Sequence, residues 1–149
     1  MQLFIGGACA GKRDVVRARF FDAVWWQLVP GQRLRECINH MLPNTPLVLH
    51  DVLEWLTAEV DADMSSDECR AQWRDDMAAL QCAAERHNVV LVIIVSDISR
   101  GIVPIEREQR RLRDLNGWFS QDAAARAEQV WYVRHGLVKA LHTLSEQYH

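Results

Sequence analysis

A glycine-rich segment near the N-terminus restricts the folds open to this chain more than any other feature. The segment Gly6-Gly7-Ala8-Cys9-Ala10-Gly11-Lys12 closely follows the apolar run Leu3-Phe4-Ile5 and opens an amphipathic stretch. Strand, glycine loop and helix in that order match Gly-x-x-x-x-Gly-Lys, the body of a phosphate-binding P-loop. Glycines let backbone N–H groups turn toward phosphate oxygens, and the helix N-terminus adds a favourable dipole. We therefore expect nucleotide phosphates along residues 6–13, with Lys12 on the outer phosphates.

The residue after the lysine departs from this pattern. Ser or Thr usually follows, because its hydroxyl binds Mg²⁺, and here the position is Arg13. The sequence thus predicts that ATP or GTP binds the loop and that Mg²⁺ binding is weakened. Arg13 either supplies part of the metal's charge beside the phosphates or lies along the helix away from them. The alternative for the whole segment is a tight strand–helix turn that binds no ligand.

Composition argues against several classes of protein. The 149 residues are 49% hydrophobic and 25% charged, ordinary values for a soluble domain with one core. A net charge of −3 argues against a nucleic-acid surface. No signal peptide is apparent, and no apolar run approaches the ~18 residues of a membrane span. We expect one cytoplasmic domain over residues 1–149, without a zinc site or disulfide framework, whose free thiols are Cys9, Cys37, Cys69 and Cys82.

Apolar periodicity predicts strands that alternate with helices. Strands are expected at Leu3–Ile5, Leu47–Asp51, Val89–Val95 and Val130–Val133. Helices are expected at 12–28, 32–41 and 52–60, from a Ser65 cap to about residue 87, at 105–128, and at the C-terminus through Leu137, Leu141, Leu144 and Tyr148. The alternation indicates an α/β fold with a mainly parallel sheet flanked by helices. Ligands of such sheets gather at the carboxyl ends of the strands.

Two acids follow predicted strands at that edge. Beside a P-loop, an acid in the place of Asp51 holds Mg²⁺, and the alternative is a cap on the helix that follows. Asp97 stands in the polar loop Ser96–Pro104 and either orients a substrate hydroxyl or metal-bound water or forms an ordinary turn. His50 is expected to point away from Asp51, as neighbours in a regular strand do. Lys12, Asp51 and Asp97 are the predicted catalytic residues, and Asp51 is the predicted metal ligand.

These motifs together resemble one family. GGACAGK, LVLHD, SDISRGIVP and RRLRD, with Gly117 and Gln121, are similar to the adenosylcobinamide kinase/adenosylcobinamide-phosphate guanylyltransferase family. The resemblance implies a RecA-like P-loop fold, a trimeric homo-oligomer and a corrinoid substrate. It also implies two reactions of cobalamin assembly. One phosphorylates the aminopropanol hydroxyl of adenosylcobinamide; the other transfers GMP from GTP to that phosphate through a guanylated histidine.

The chain departs from that family in ways that bear on both reactions. Arg13 replaces a serine, and Ser96-Asp97 stand where the family has Asn-Glu. The family's long segment with the guanylated histidine is reduced to the 33 residues 14–46, mostly assigned to the first helix, in which His40 is the only histidine. We expect His40 to pack and the guanylyltransferase half to be lost. A nucleotide-dependent kinase of cobalamin biosynthesis then remains, or a non-catalytic relative that binds a nucleotide, a corrinoid or a protein partner.

Overall fold

The computed structural model describes residues 1–7, 10–60, 64–98 and 106–143. Its strands are β1 (Gln2–Gly6), β2 (Val24–Gln27), β3 (Leu47–His50), β4 (Leu91–Ser96), β5 (Gln129–Arg134) and β6 (Leu137–Thr143). Its helices are α1 (Lys12–Arg19), α2 (Val52–Val60), α3 (Ser66–His87) and α4 (Arg107–Arg126), with a 3₁₀ helix at Leu34–His40. Within these ranges the strands form one sheet in the order β2-β3-β4-β1-β5-β6. The predicted α/β fold is confirmed.

The sheet is parallel except at one edge. Strand β1 lies in its middle, where Leu3 pairs with Ile93 of β4 on one side and Val130 of β5 on the other. The first five residues of β4 are buried, as the β-branched run predicts for a strand covered on both faces. Helices α2, α3 and α4 cover the face that carries Leu3, and α1 covers the face that carries Phe4. The carboxyl ends of β1, β3 and β4 therefore meet at one edge.

The predicted first helix is too long. Helix α1 ends at Arg19, and the segment Val24–Gln27, predicted as its last part, is strand β2, paired in parallel with β3. The Val-Trp-Trp run has the β-branched and aromatic composition that favours strands, and apolar spacing alone did not separate the two structures. Residues 14–46 are therefore not mostly helix: they hold most of α1, all of β2 and the 3₁₀ helix, which lies within the predicted helix 32–41.

The predicted C-terminal helix is also wrong. Strand β6 returns antiparallel to β5 through a turn in which His135 and Gly136 have φ of 52° and 73°. Positive φ at both turn residues is the geometry of a type I′ turn, one of the two favoured in two-residue hairpins. A spacing of four residues, as between Leu137 and Leu141, fits a strand of period two as well as a helix. Leu144 and Tyr148, also assigned to that helix, lie outside the described residues.

The remaining predicted elements are confirmed, with ends shifted by a few residues. The Ser65 cap is present, since its hydroxyl accepts a hydrogen bond from the Glu68 backbone N–H at 3.1 Å. Helix α2 has the predicted bounds, and α4 begins and ends two residues inside them. Of the helices in the described ranges, none combines the length and apolar character that crossing a bilayer requires.

Two buried carboxylates link the helices on the face of the sheet that carries Leu3. Asp122 of α4 accepts hydrogen bonds from Arg70 and Trp73 of α3, at 2.8–3.0 Å. Asp76 of α3 accepts from Arg33 and Arg35, beside and within the 3₁₀ helix. Because buried charge is costly unless it is paired, these contacts fix how the helices pack.

The cysteines in the described ranges are free thiols, as predicted: Cys37, Cys69 and Cys82. Burial raises the pKa of Cys37 to about 12. Burial, together with the neighbouring Glu59 carboxylate, raises the pKa of Cys69 to about 11. These two thiols therefore stay protonated near neutral pH, which favours a packing role for both. Cys9 lies outside the described residues.

Candidate active site

The glycine segment leaves the carboxyl end of β1 and leads into α1, as its sequence predicts. A Cβ on Gly6 would lie 2.5 Å from the Val133 carbonyl oxygen, so only glycine fits between β1 and β5. Gly11 has φ of 84° and forms the N-cap of α1. The backbone N–H of Gly136, in the β5–β6 turn, donates to the Ala10 carbonyl at 2.8 Å and supports the loop. Ala8 and Cys9 lie outside the described residues.

The Lys12 ammonium lies folded over this loop. Its Nζ donates to the Gly6 carbonyl at 3.0 Å and to the Gly7 carbonyl at 2.6 Å, and the residue is almost fully buried. A buried ammonium at the N-terminus of a helix presents positive charge where the backbone also favours an anion. Lys12 therefore places a positive charge beside the loop at the start of α1.

Arg13 turns toward the neighbouring strand end. Its Nη2 donates to Oδ1 of Asp51 at 2.5 Å, which joins the first turn of α1 to the end of β3. The arginine side chain is 48% exposed and the aspartate side chain 18%. Asp51 has φ of 64°, a left-handed conformation that aspartate tolerates better than most residues. Arg13 thus does not lie along the outer surface of its helix.

The prediction that His50 points away from Asp51 is wrong. The imidazole Nδ1 lies 3.5 Å from Oδ1 of Asp51, and both residues line the same cavity. The alternation of a regular strand fails here because Asp51, with its left-handed φ, lies just beyond the end of β3. Burial lowers the pKa of His50 and Arg13 adds to this, although the Asp51 carboxylate opposes it. Among the described residues, its Nδ1 has no hydrogen-bond partner.

One cavity brings the predicted catalytic residues together. It has a volume of about 340 Å³, and Lys12, Arg13, His50, Asp51 and Asp97 are among the residues that line it. We call it the phosphate-edge cavity. The backbone N–H of Asp97 donates to the Gly6 carbonyl at 2.8 Å, which ties the end of β4 to that of β1. Lys12, Asp51 and Asp97 therefore line one cavity, although Lys12 and Asp97 are 85 residues apart in the sequence.

The residues at this edge do not fit a Mg²⁺ ion as they are arranged. Position 13 carries no hydroxyl, and Oδ1 of the Asp51 carboxylate already bonds the Arg13 guanidinium. Across the described ranges, no three His, Cys, Asp or Glu side chains are grouped so that they could hold a metal. Beside nucleotide phosphates Mg²⁺ usually takes only one or two protein ligands, so the fit depends on positions 13 and 51. The role of Asp51 as a metal ligand stays a prediction, and the ion pair weighs against it.

A second cavity of about 340 Å³ lies across residues 96–98 from the first. Helix α4 lines it with Arg113, Asn116, Gly117, Ser120 and Gln121, and the sheet adds Ile5, Tyr132 and Leu141. We call it the α4 cavity. Asn116 is buried, and its Nδ2 donates to the Ser96 carbonyl at 2.8 Å. Its Oδ1 has no partner among the described residues. The sequence did not single out Asn116; the only signal is an amide between the buried positions Leu115 and Phe119.

Comparison with known proteins bears on these cavities. The model of the cobinamide kinase/cobinamide phosphate guanyltransferase family matches residues 16–141. The match begins beyond the glycine loop, so the assignment of that loop rests on its own residues and geometry. Both α4 and the strand ends at Asp51 and Asp97 fall within the matched range.

Two curated relatives are bifunctional adenosylcobalamin biosynthesis proteins CobU. The chain is 30% identical to the Salmonella typhimurium protein over 107 residues, which cover 70% of this chain and 54% of the relative. It is 25% identical to the Escherichia coli protein over 122 residues, which cover 76% of this chain and 67% of the relative. The chain thus spans between half and two thirds of their lengths. It belongs to the cobinamide kinase/cobinamide phosphate guanyltransferase family of cobalamin biosynthesis.

Proposed function

We propose that the chain carries the kinase half of this family's chemistry. It binds ATP or GTP by the phosphates along residues 6–13 and transfers the terminal phosphoryl group to the hydroxyl of adenosylcobinamide. The observation that carries the proposal is the phosphate-edge cavity, which holds Lys12, Asp51 and Asp97 at the carboxyl ends of three adjacent strands. Parallel α/β sheets bind their ligands at this edge.

The chemistry asks little of the protein beyond position and charge. The acceptor oxygen bonds to the terminal phosphorus as the bond to the bridging oxygen breaks, and the nucleoside diphosphate leaves. Lys12 and Arg13 neutralise charge on the phosphate oxygens, which is the main requirement of phosphoryl transfer. Asp97 lines both cavities, and in this proposal its carboxylate accepts the proton of the acceptor hydroxyl.

The α4 cavity supplies a place for the acceptor. Its wall at residues 96–98 is shared with the phosphate-edge cavity, so a substrate there lies beside the donor phosphates.

The guanylyltransferase half is absent in this proposal because its histidine is missing from residues 14–46. His40 stacks on Trp26 with ring centroids 3.5 Å apart and lies outside the phosphate-edge cavity. His50 does line that cavity, so it is the side chain to check. Mass spectrometry after incubation with GTP is expected to find no covalent GMP. An adduct on His50 would contradict the loss of the transferase half.

Non-catalytic nucleotide binding is the second candidate, and the Arg13–Asp51 ion pair favours it. That contact occupies the carboxylate that a kinase of this kind gives to its metal. A protein that only binds would keep the loop and the cavity but form no phosphorylated product.

Phosphoryl transfer with labelled ATP and GTP separates the two candidates. Wild-type protein, Lys12→Ala and Asp97→Asn are incubated with adenosylcobinamide, and the phosphate ester is followed by mass spectrometry. Lys139→Ala is the matched control, because Lys139 is exposed on β6 and lines neither cavity. Ester formation that falls at least about 100-fold in both site variants supports the kinase. Nucleotide binding with no ester would favour the second candidate.

A further inference from the structure

We propose that the guanidinium of Arg13 takes the place of the metal ion in this phosphate loop, so that nucleoside triphosphates bind without a divalent cation. The inference rests on the proposed nucleotide binding and specifies how the site achieves it. Its starting point is the disagreement between a loop that usually works with Mg²⁺ and an edge whose residues do not fit that ion.

Arg13 stands at one of the two positions that usually hold the ion. In a loop of this type the ion lies between a hydroxyl on the residue after the lysine and an acid at a nearby strand end. In this chain those two positions are Arg13 and Asp51, and they contact each other directly at 2.5 Å. A positive charge therefore lies where the ion would lie, as a covalent part of α1.

The guanidinium of Arg13 has more N–H donors than its contact with Asp51 uses. Arginine presents five N–H donors in a planar fork that matches phosphate oxygens, and it stays charged at any physiological pH. Among the described residues, its hydrogen bond to Asp51 uses Nη2 alone. The group can thus hold the end of β3 and still donate to a phosphate, much as a metal ion bridges protein and ligand.

A neighbouring arginine shows that this placement is particular to position 13. Arg17, one turn further along α1, lies over the Trp25 ring with its guanidinium carbon 5.0 Å from the ring centroid. It does not line the phosphate-edge cavity, whereas Arg13 does. Of the three arginines on this short helix, Arg13 therefore lines the cavity, and Arg17 and Arg19 do not.

The test is calorimetric titration of ATP and GTP, each with excess Mg²⁺ and with a chelator. For the wild-type protein, Kd is expected to change by less than about threefold between the two conditions, well below the tenfold that 1.4 kcal/mol represents. For Arg13→Ser, affinity without Mg²⁺ is expected to fall by about 10- to 100-fold, the effect of a lost hydrogen bond to a charged group. Mg²⁺ is expected to restore much of that loss, because the variant regains a hydroxyl ligand and an unpaired Asp51.

Arg17→Ser is the matched control, since it removes the same charge from the same helix outside the cavity. It is expected to leave the Mg²⁺ dependence of Kd unchanged. Arg13→Lys keeps the charge without the fork and is expected to remain metal-independent with weaker binding.

Each other outcome has a distinct meaning. Wild-type binding that needs Mg²⁺ would overturn this inference and leave the proposed nucleotide binding intact. Tighter binding by Arg13→Ser in both conditions would show that Arg13 blocks the loop, which also overturns the inference alone. Failure of both the wild-type protein and Arg13→Ser to bind either nucleotide would overturn the proposed function together with the inference.

Discussion

Asp122 and Asp51 both pair with arginine, but they do so in opposite surroundings. Asp122 is buried between α3 and α4 and accepts two hydrogen bonds from Arg70 and one from Trp73. Asp51 lies at the end of β3, accepts one hydrogen bond from Arg13 and borders a cavity of about 340 Å³. One carboxylate thus accepts three hydrogen bonds inside the fold, and the other accepts one and borders open space.

The difference shows what each contact can do. A carboxylate enclosed by three donors resists rearrangement, because each lost partner leaves buried charge or a buried N–H uncompensated. A partly exposed pair beside a cavity exchanges partners at little cost. The contacts of Asp122, like those of Asp76, therefore stabilise the fold, and the Arg13–Asp51 pair lies at the edge where ligands are expected.

The largest expected effect is on stability, at Asp122. Asp122→Ala is expected to lower the free energy of unfolding by about 3 kcal/mol or more, the range for removing one partner of a buried ion pair. The nucleotide affinity of the fraction that remains folded is expected to stay unchanged, because Asp122 lies outside both cavities. Urea denaturation and titration measure the two quantities. A loss of stability below about 1 kcal/mol, the value of a surface pair, would contradict the stabilising role of Asp122.

Lys12 is expected to show the reverse pattern. Lys12→Ala removes the charge that the loop presents to phosphates, so nucleotide affinity is expected to fall by about 100-fold, or about 2.7 kcal/mol. The substitution also removes the hydrogen bonds of the ammonium to the Gly6 and Gly7 carbonyls. Lys139→Ala is expected to keep wild-type affinity. An equal loss in both lysine variants would indicate a general charge effect and not a phosphate site.

Acid is expected to lower the stability of the fold by protonating Asp122. Burial by itself raises the pKa of this carboxyl, but the hydrogen bonds from Arg70 and Trp73 outweigh it and leave the pKa lowered. A lowered pKa in the folded state means that its contribution is complete above the ordinary value of about 4 and is lost as pH falls through the folded value. The stability difference between wild type and Asp122→Asn is therefore expected to shrink below about pH 4. A difference that does not change with pH would contradict the assignment.

The smallest expected effect is on stability at Asp51. Asp51→Asn is expected to change the free energy of unfolding by less than about 1 kcal/mol, since partly exposed ion pairs contribute little. Asparagine also tolerates the left-handed φ of 64° at this position. Denaturation of this variant beside Asp122→Asn gives the direct comparison. If the free energy of unfolding fell as much at Asp51 as at Asp122, the Arg13–Asp51 contact would be shown to stabilise the fold.

Much of the fold was predictable because its signals are local. The Ser65 cap, the buried run of β4 and the glycine loop each depend on neighbouring residues, and the structure has all three in place. Apolar spacing failed at β2 and β6, where it fits a strand as well as a helix. Strand pairing settled both cases, since β2 lies against β3 and β6 against β5.

The sequence by itself determined the glycine loop, the parallel α/β sheet and the acids at its carboxyl edge, because residue type and spacing set backbone preferences within a few positions. The tertiary structure decided which partners these residues have. Arg13 meets Asp51 across 38 positions of sequence, the left-handed φ of Asp51 brings it to the same cavity as His50, and Asn116 keeps an unpartnered oxygen beside the α4 cavity. Such contacts depend on how distant segments pack, which periodicity and composition do not encode.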